Sequence, residues 1–126
     1  FDNNLNYNNN LRVYRVAEAY LNAAELLLET GGDAGLAKDY VNKIRRRAGI
    51  AELGAVTLDD VINERRLEFV GEGKRYFDLV RTGKAATVLV PDSYGYRTNS
   101  WTESKKYIPI AQAELDSDPA LVQNNY

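Results

Sequence analysis

The chain contains no cysteine and no histidine. Without cysteine it cannot form a disulfide, an iron–sulfur cluster or a thiolate metal site. The joint absence of histidine also excludes ordinary zinc sites, histidine general bases and the Ser-His or Cys-His pairs of nucleophilic enzymes. We therefore expect neither a metal nor a cofactor in this chain.

Long apolar runs are also absent, since no stretch reaches the roughly 18 residues that a transmembrane helix needs. The 16 Lys and Arg nearly balance the 18 Asp and Glu, and this net charge of −2 is not the signature of a nucleic-acid-binding protein. With 126 residues the chain can bury one core. It begins with Phe1 and has no secretory signal, so we expect a mature or excised piece of a longer protein.

Residues 1–11 are rich in asparagine, which favours turns over the interiors of helices and strands, and we predict coil there. Residues 12–30 instead have the periodicity of an amphipathic helix. Its apolar face is formed by Val13, Val16, Ala17, Tyr20, Ala24, Leu27 and Leu28, and its polar face by Arg15, Glu18, Asn22, Glu25 and Glu29.

A second helix is predicted over residues 34–48, with Asp33 as its N-cap and Gly49 just after its end. The short connection between the two helices indicates an antiparallel hairpin of the tetratricopeptide-like kind. Thr57 and Asp60 form a capping box that opens a third helix. A fourth helix is predicted over residues 75–81, and residues 91–106 read as loop. The predicted fold class is all-α: a tetratricopeptide-like helical hairpin plus further helices and long irregular loops.

Charged residues of both signs alternate densely between residues 64 and 81. Arg65 falls on the apolar face of the third helix, where an unpaired guanidinium would be destabilising. We interpret the stretch as a partly buried ion network that joins the third and fourth helices. The alternative is a metal or acid/base site built on its carboxylates, and a glycoside hydrolase is a remote form of that alternative. The predicted network comprises Glu64, Arg65, Arg66, Glu68, Glu72, Arg75, Asp78 and Arg81.

A basic run, Lys43 to Arg47, lies near the predicted end of the second helix. Favourable interaction with the helix dipole, together with solvation, explains it without a function. The functional alternative is a docking patch for an acidic partner or for anionic headgroups.

The predicted loop contains the candidate ligand-binding residues Trp101, Tyr94, Tyr96, Arg97 and Asn99. Aromatic faces that stack on sugar rings, beside polar groups that bond sugar hydroxyls, favour carbohydrate binding. The alternative is that the aromatic rings only pack the loop onto the helices.

Five segments in this order resemble the C-terminal part of the SusD/RagB family of outer-membrane lipoproteins. They are YRVAEAYLNAAEL, DYVNKIRRRAGI, TLDDVINERRLEFVGEGKRYFDLVRTGK, YIPIAQAEL and the terminal QNNY. The long ERR-to-DLVR stretch is the most specific of them. Phe69 stands where the family pattern has leucine, and the C-terminal turn residues also differ.

The resemblance implies that residues 12–126 are the C-terminal helical part of a SusD-like domain in a protein several times longer. It implies a lipid anchor outside this chain, as the sole membrane contact, and a location on the cell-surface face of the outer membrane. It further implies non-enzymatic capture of a glycan or other nutrient for hand-off to a SusC-like TonB-dependent transporter. A helix-repeat adaptor that binds only protein is the alternative.

Overall fold

The computed structural model describes residues 13–125, so the coil predicted for residues 1–11 lies outside the described residues. Helices are the only regular elements among residues 13–125, which confirms the all-α prediction. The chain divides into two compact units after Glu72. The α-helices are α1 (Val16–Glu29), α2 (Ala34–Ala48), α3 (Leu58–Glu68), α4 (Arg75–Arg81), α5 (Ala85–Val88) and α6 (Gln112–Ser117), and Glu103–Lys106 forms a short 3-10 turn.

The helical hairpin of the first unit is formed by the predicted capping residues. The Asp33 side chain accepts a hydrogen bond from the Leu36 amide at 3.0 Å and thereby opens α2. Gly49 ends α2 in the left-handed conformation, with φ of 71°. The amides of Gly49 and Ile50 then bond the Arg46 and Arg45 carbonyl oxygens at 3.1 Å. These caps confirm both predicted boundaries of α2.

The core of the first unit lies where α1 packs against α2 and α3. Leu21 and Ala24 of α1 and Val41 of α2 are completely buried. The small alanines allow the helix backbones to approach closely, and the rings of Tyr20 and Tyr40 lie 5.3 Å apart beside them. The buried apolar cluster comprises Ala17, Leu21, Ala24, Ala37, Val41, Ile44, Val56, Val61 and Phe69.

The start and the polar face of α1 differ from the sequence prediction. The helix begins at Val16, because Arg15 is extended, and Val16 is 67% exposed although it was assigned to the apolar face. Glu18 and Glu25, assigned to the solvated face, are only 7% exposed. The difference arises because α1 packs against α3 as well as α2, so two of its faces are covered.

Helix α3 begins with the predicted capping box. The Thr57 amide donates to Asp60 Oδ2 at 2.8 Å, and the Asp60 amide donates to the Thr57 hydroxyl at 3.2 Å. Hydrogen bonds from the Thr57 side chain, and then from its backbone, lower the pKa of Asp60. The connection that leads to α3 is fixed by buried Asn42, whose amide group bonds the Leu53 carbonyl at 3.0 Å and the Leu53 amide at 2.9 Å.

Arg65 is buried at the junction of α1 and α3, with 5% of its surface exposed. Its guanidinium donates to Asn22 Oδ1 and lies 3.9 Å from Glu18 Oε1. It also lies 5.3 Å from the centre of the Phe69 ring, within the range of a cation–π contact. The charge on the apolar side of α3 is therefore compensated by an acid and an amide of α1.

The acidic side chains of α3 form ion pairs with arginines outside α3. Glu64 pairs with Arg45 of α2 at 2.7 Å. Glu68 pairs with Arg15 at 2.5 Å and also with Arg47 of α2. Because these pairs connect α3 to α2 and to the residue that precedes α1, they stabilise the tertiary structure.

Arg15 also pairs with Glu72 at 2.7 Å, just beyond the end of α3. Its guanidinium lies 4.8 Å from the Phe69 ring centre, so two guanidinium groups flank that ring. Hydrogen bonding to Glu72, and then to Glu68, raises the pKa of Arg15 and keeps it charged.

The second unit contains α4, α5 and α6. Buried Asp78 accepts two hydrogen bonds from Arg81 one turn later, at 2.9 and 2.7 Å. Near the C-terminus the Gln123 side chain bonds both the amide and the carbonyl of Ile110, each at 2.9 Å. No helix within residues 13–125 has the length and hydrophobicity to cross a membrane.

Replacing Arg65 by alanine should destabilise the protein by about 3–5 kcal/mol, because Glu18 would keep a buried charge without this partner. Arg66→Ala is the matched control, since neighbouring Arg66 is exposed and bonds Asn63 on its own helix. The Arg66→Ala substitution should change the free energy of unfolding by about 0.5 kcal/mol or less. Denaturant unfolding of the full-length variants measures both values. Equal effects of the two substitutions would contradict this account.

Candidate functional site

The loop that follows α5 has a defined backbone, although it contains no regular element from residue 91 to residue 102. The carboxylate of Asp92 accepts hydrogen bonds from the amides of Tyr94 at 2.8 Å, Tyr96 at 3.2 Å and Arg97 at 2.6 Å. The Asp92 amide donates to the Arg97 carbonyl at 3.1 Å and closes the turn. Gly95 supplies the positive φ, 79°, that this tight turn requires.

These contacts also determine the charge state of Asp92. Desolvation is the largest single effect and opposes ionisation, but the backbone hydrogen bonds from Arg97, Tyr94, Tyr96 and Gly95 together outweigh it and lower the pKa of Asp92. The folded loop therefore favours the carboxylate form of this side chain.

Trp101 is held in a half-buried position by two hydrogen bonds. Its backbone amide donates to the Leu89 carbonyl at 2.9 Å, and its indole Nε1 donates to the Tyr76 hydroxyl at 3.2 Å. The Tyr76 hydroxyl in turn donates to the Lys105 carbonyl. The indole N–H is thus engaged by the protein, and the ring is oriented before any ligand arrives.

A cleft of about 220 Å³ opens beside this tryptophan. It brings together three of the five predicted ligand-binding residues: Trp101, Arg97 and Asn99. The remaining lining residues are Tyr76, Leu89, Ser100 and Lys105. Sequence reasoning missed Tyr76 and Lys105, because Tyr76 lies 25 residues before Trp101 and no local pattern connects them.

Tyr94 and Tyr96 lie apart from this cleft, at the tip of the loop. Their side chains are among the most exposed of the described residues, at 84% and 92%. Their ring centres are 6.3 Å apart and the rings are tilted by 33°, so they form a small aromatic surface of their own. The predicted site is therefore two neighbouring features of one loop.

A second cleft, of about 270 Å³, also has Trp101 in its wall. Its apolar part comes from Val80, Ala85 and Ala86, and its charged rim from Arg81, Glu103 and Lys106, with Gly83 completing the lining.

The residues predicted as an ion network fall in both units. Glu64, Arg65, Glu68 and Glu72 pair within the first unit, and Asp78 pairs with Arg81 in the second. Arg66 is exposed, and Arg75 is half-buried at the start of α4. No group of three or more acidic side chains between residues 13 and 125 is arranged to hold a metal ion. That the network joins α3 to α4 stays a prediction.

The basic run of α2 has more specific contacts than the sequence suggested. Arg45 and Arg47 pair with acids of α3, and Arg46 pairs with Glu52 at 2.8 Å. The ammonium group of Lys43 lies 4.7 Å from the Tyr20 ring centre. The sequence predicted interaction with the helix dipole, or alternatively a docking patch. It did not predict pairing with α3, because the acids of α3 are distant in the chain.

The Trp101 cleft combines an aromatic side chain with hydrogen-bond donors and acceptors. The indole offers an apolar surface for the C–H face of a pyranose ring. Arg97 and Lys105 provide donors for hydroxyl oxygens, and the Asn99 amide can donate and accept.

The sequence model of the SusD family matches residues 1–126. The chain belongs to the SusD family. It is 34% identical over 116 residues to the starch-binding protein SusD of Bacteroides thetaiotaomicron.

Two solved structures of the same architecture are more similar in sequence. Surface glycan-binding protein A from Bacteroides uniformis is 68% identical, with a TM-score of 0.86 over 97% of this chain. Surface glycan-binding protein A from Bacteroides thetaiotaomicron, in complex with laminarihexaose, is 62% identical, with a TM-score of 0.82 over 96% of this chain. The present chain spans only 29% and 26% of those two chains and 20% of SusD.

The Asp92 turn should open in acid. Because the folded loop lowers the Asp92 pKa below 3.8, its stabilising contribution is complete above about pH 3.8 and is lost as the pH falls through the lower, folded value. Hydrogen exchange of a peptide covering residues 92–97 should therefore show protection above that pH and its loss below. Asp92→Ala, which removes both acceptor oxygens, should remove protection at neutral pH. Unchanged protection in that variant would show that the carboxylate does not hold the loop.

Proposed function

We propose that the protein containing this chain captures oligosaccharides at the cell surface without hydrolysing them, and that the Trp101 cleft contributes to capture. The observation that carries this proposal is the fixed, half-buried Trp101 beside Arg97 and Asn99. Membership of the SusD family supports it, as does the laminarihexaose complex of a 62% identical relative. The proposed ligands are therefore glucan oligosaccharides of the laminarin type.

Family membership also supports a proposed cellular setting. The full-length protein would be attached by a lipid anchor to the outer face of the outer membrane. There it would hold an oligosaccharide and pass it to a SusC-like TonB-dependent transporter. Nothing in this mechanism requires a covalent step, because stacking and hydrogen bonding are sufficient for capture and release.

A protein-binding adaptor is the second candidate function. Large apolar side chains are exposed on the helical first unit: Val16 at 67%, Leu26 at 60%, Leu67 at 49% and Val70 at 77%. Such side chains favour contact with other polypeptide. An adaptor would bind a transporter but no sugar.

Trp101→Ala in the full-length protein should lower the affinity for laminarihexaose about tenfold or more, which corresponds to at least ~1.4 kcal/mol of stacking energy. Trp101→Phe should retain part of the affinity, because it keeps an aromatic face. Tyr14→Ala is the control, since Tyr14 is an exposed aromatic residue of the first unit. Titration calorimetry measures the affinities, and thermal melting measures folding.

The outcomes separate the candidate functions. A lower melting temperature with unchanged affinity would assign Trp101 to packing alone. Binding of a transporter without any sugar binding by the wild type would favour the adaptor. Release of reducing ends during long incubation would contradict non-enzymatic capture.

A further inference from the structure

We propose that the second cleft, between Trp101 and the segment 80–86, is a second sugar subsite. It would bind the next residues of the oligosaccharide held in the first cleft. This inference rests on the proposed function and adds to it a defined length of ligand and a second set of contacts.

The two clefts have Trp101 as a common lining residue, so the same indole is offered to both. The hydrogen bonds to Leu89 and Tyr76 fix Trp101 from the protein side. A tryptophan fixed in this way is suited to contact two consecutive sugar units, one in each cleft.

The two clefts are similar in size. The first measures about 220 Å³ and the second about 270 Å³. Each is smaller than the roughly 300–1,000 Å³ typical of pockets for small-molecule ligands. One cleft alone therefore fits part of an oligosaccharide, and both are needed for a longer one.

The second cleft is lined by apolar, donor and acceptor groups. Val80, Ala85 and Ala86 give it an apolar floor, and Arg81 and Lys106 give it donors. Glu103 adds a carboxylate acceptor, which the lining side chains of the first cleft lack. Sugar hydroxyls donate as well as accept, so a subsite with both kinds of partner can satisfy them.

Arg81 on the rim of the second cleft is preorganised. Buried Asp78 accepts from Nε and Nη2 of Arg81 at 2.9 and 2.7 Å and fixes that side chain, which remains 43% exposed. A side chain that is already ordered loses little entropy when a ligand binds. This part of the rim is therefore ordered before a ligand binds.

The test compares a short and a long ligand on the full-length protein. Wild-type affinity should be at least tenfold higher for laminarihexaose than for laminaribiose. Ala86→Tyr places a ring in the second cleft and should lower laminarihexaose affinity at least fivefold while leaving laminaribiose affinity within twofold. Thr87→Tyr is the matched control, because Thr87 is exposed on the same helix but does not line the cleft.

A second variant guards against misfolding of the first. Glu103→Gln keeps the size of the side chain and removes its charge, and it should weaken laminarihexaose binding twofold or more. Normal laminarihexaose affinity in both Ala86→Tyr and Glu103→Gln, with loss in Trp101→Ala, would overturn the second subsite and leave the proposed function intact. Absence of binding to either sugar by the wild type would overturn the proposed function and this inference together.

Discussion

The first unit depends on the pairing of arginines with acids between α3 and its neighbours around the Phe69 ring. Arg65 compensates its buried charge through Glu18 and Asn22 of α1, while Arg15 and Arg47 converge on Glu68. An isolated surface pair would contribute little, but these pairs are partly or fully buried and join different helices. Removing one partner leaves the charge of the other buried and without that compensation. The hairpin and α3 therefore depend on each other.

Much of the backbone could be predicted from local signals. Asp33, Gly49 and the Thr57–Asp60 box each set a helix boundary through contacts with residues close by in sequence. The polar side of α1 could not be predicted in the same way. Periodicity separates apolar from polar positions, but it does not reveal that α1 also packs against a third helix, which begins only at Leu58.

The candidate site shows the same limit. Composition located Trp101 and its polar neighbours, since an aromatic, amide-containing loop is typical of sugar binding. It did not reveal that Tyr76 orients the indole, nor that Tyr94 and Tyr96 form a separate surface. Both facts depend on how the loop folds back toward α4. The basic run of α2 is a further case, because its acidic partners on α3 become visible only in three dimensions.

The Asp92 turn has a consequence for how freely the surface of this loop can change. Its shape is held by main-chain amides bonded to one carboxylate, so the side chains of Tyr94, Tyr96 and Arg97 take no part in maintaining it through those bonds. Substitutions at these positions can therefore change the exposed surface without breaking the hydrogen bonds that shape the turn. The tip is thus a place where side chains can be exchanged one at a time.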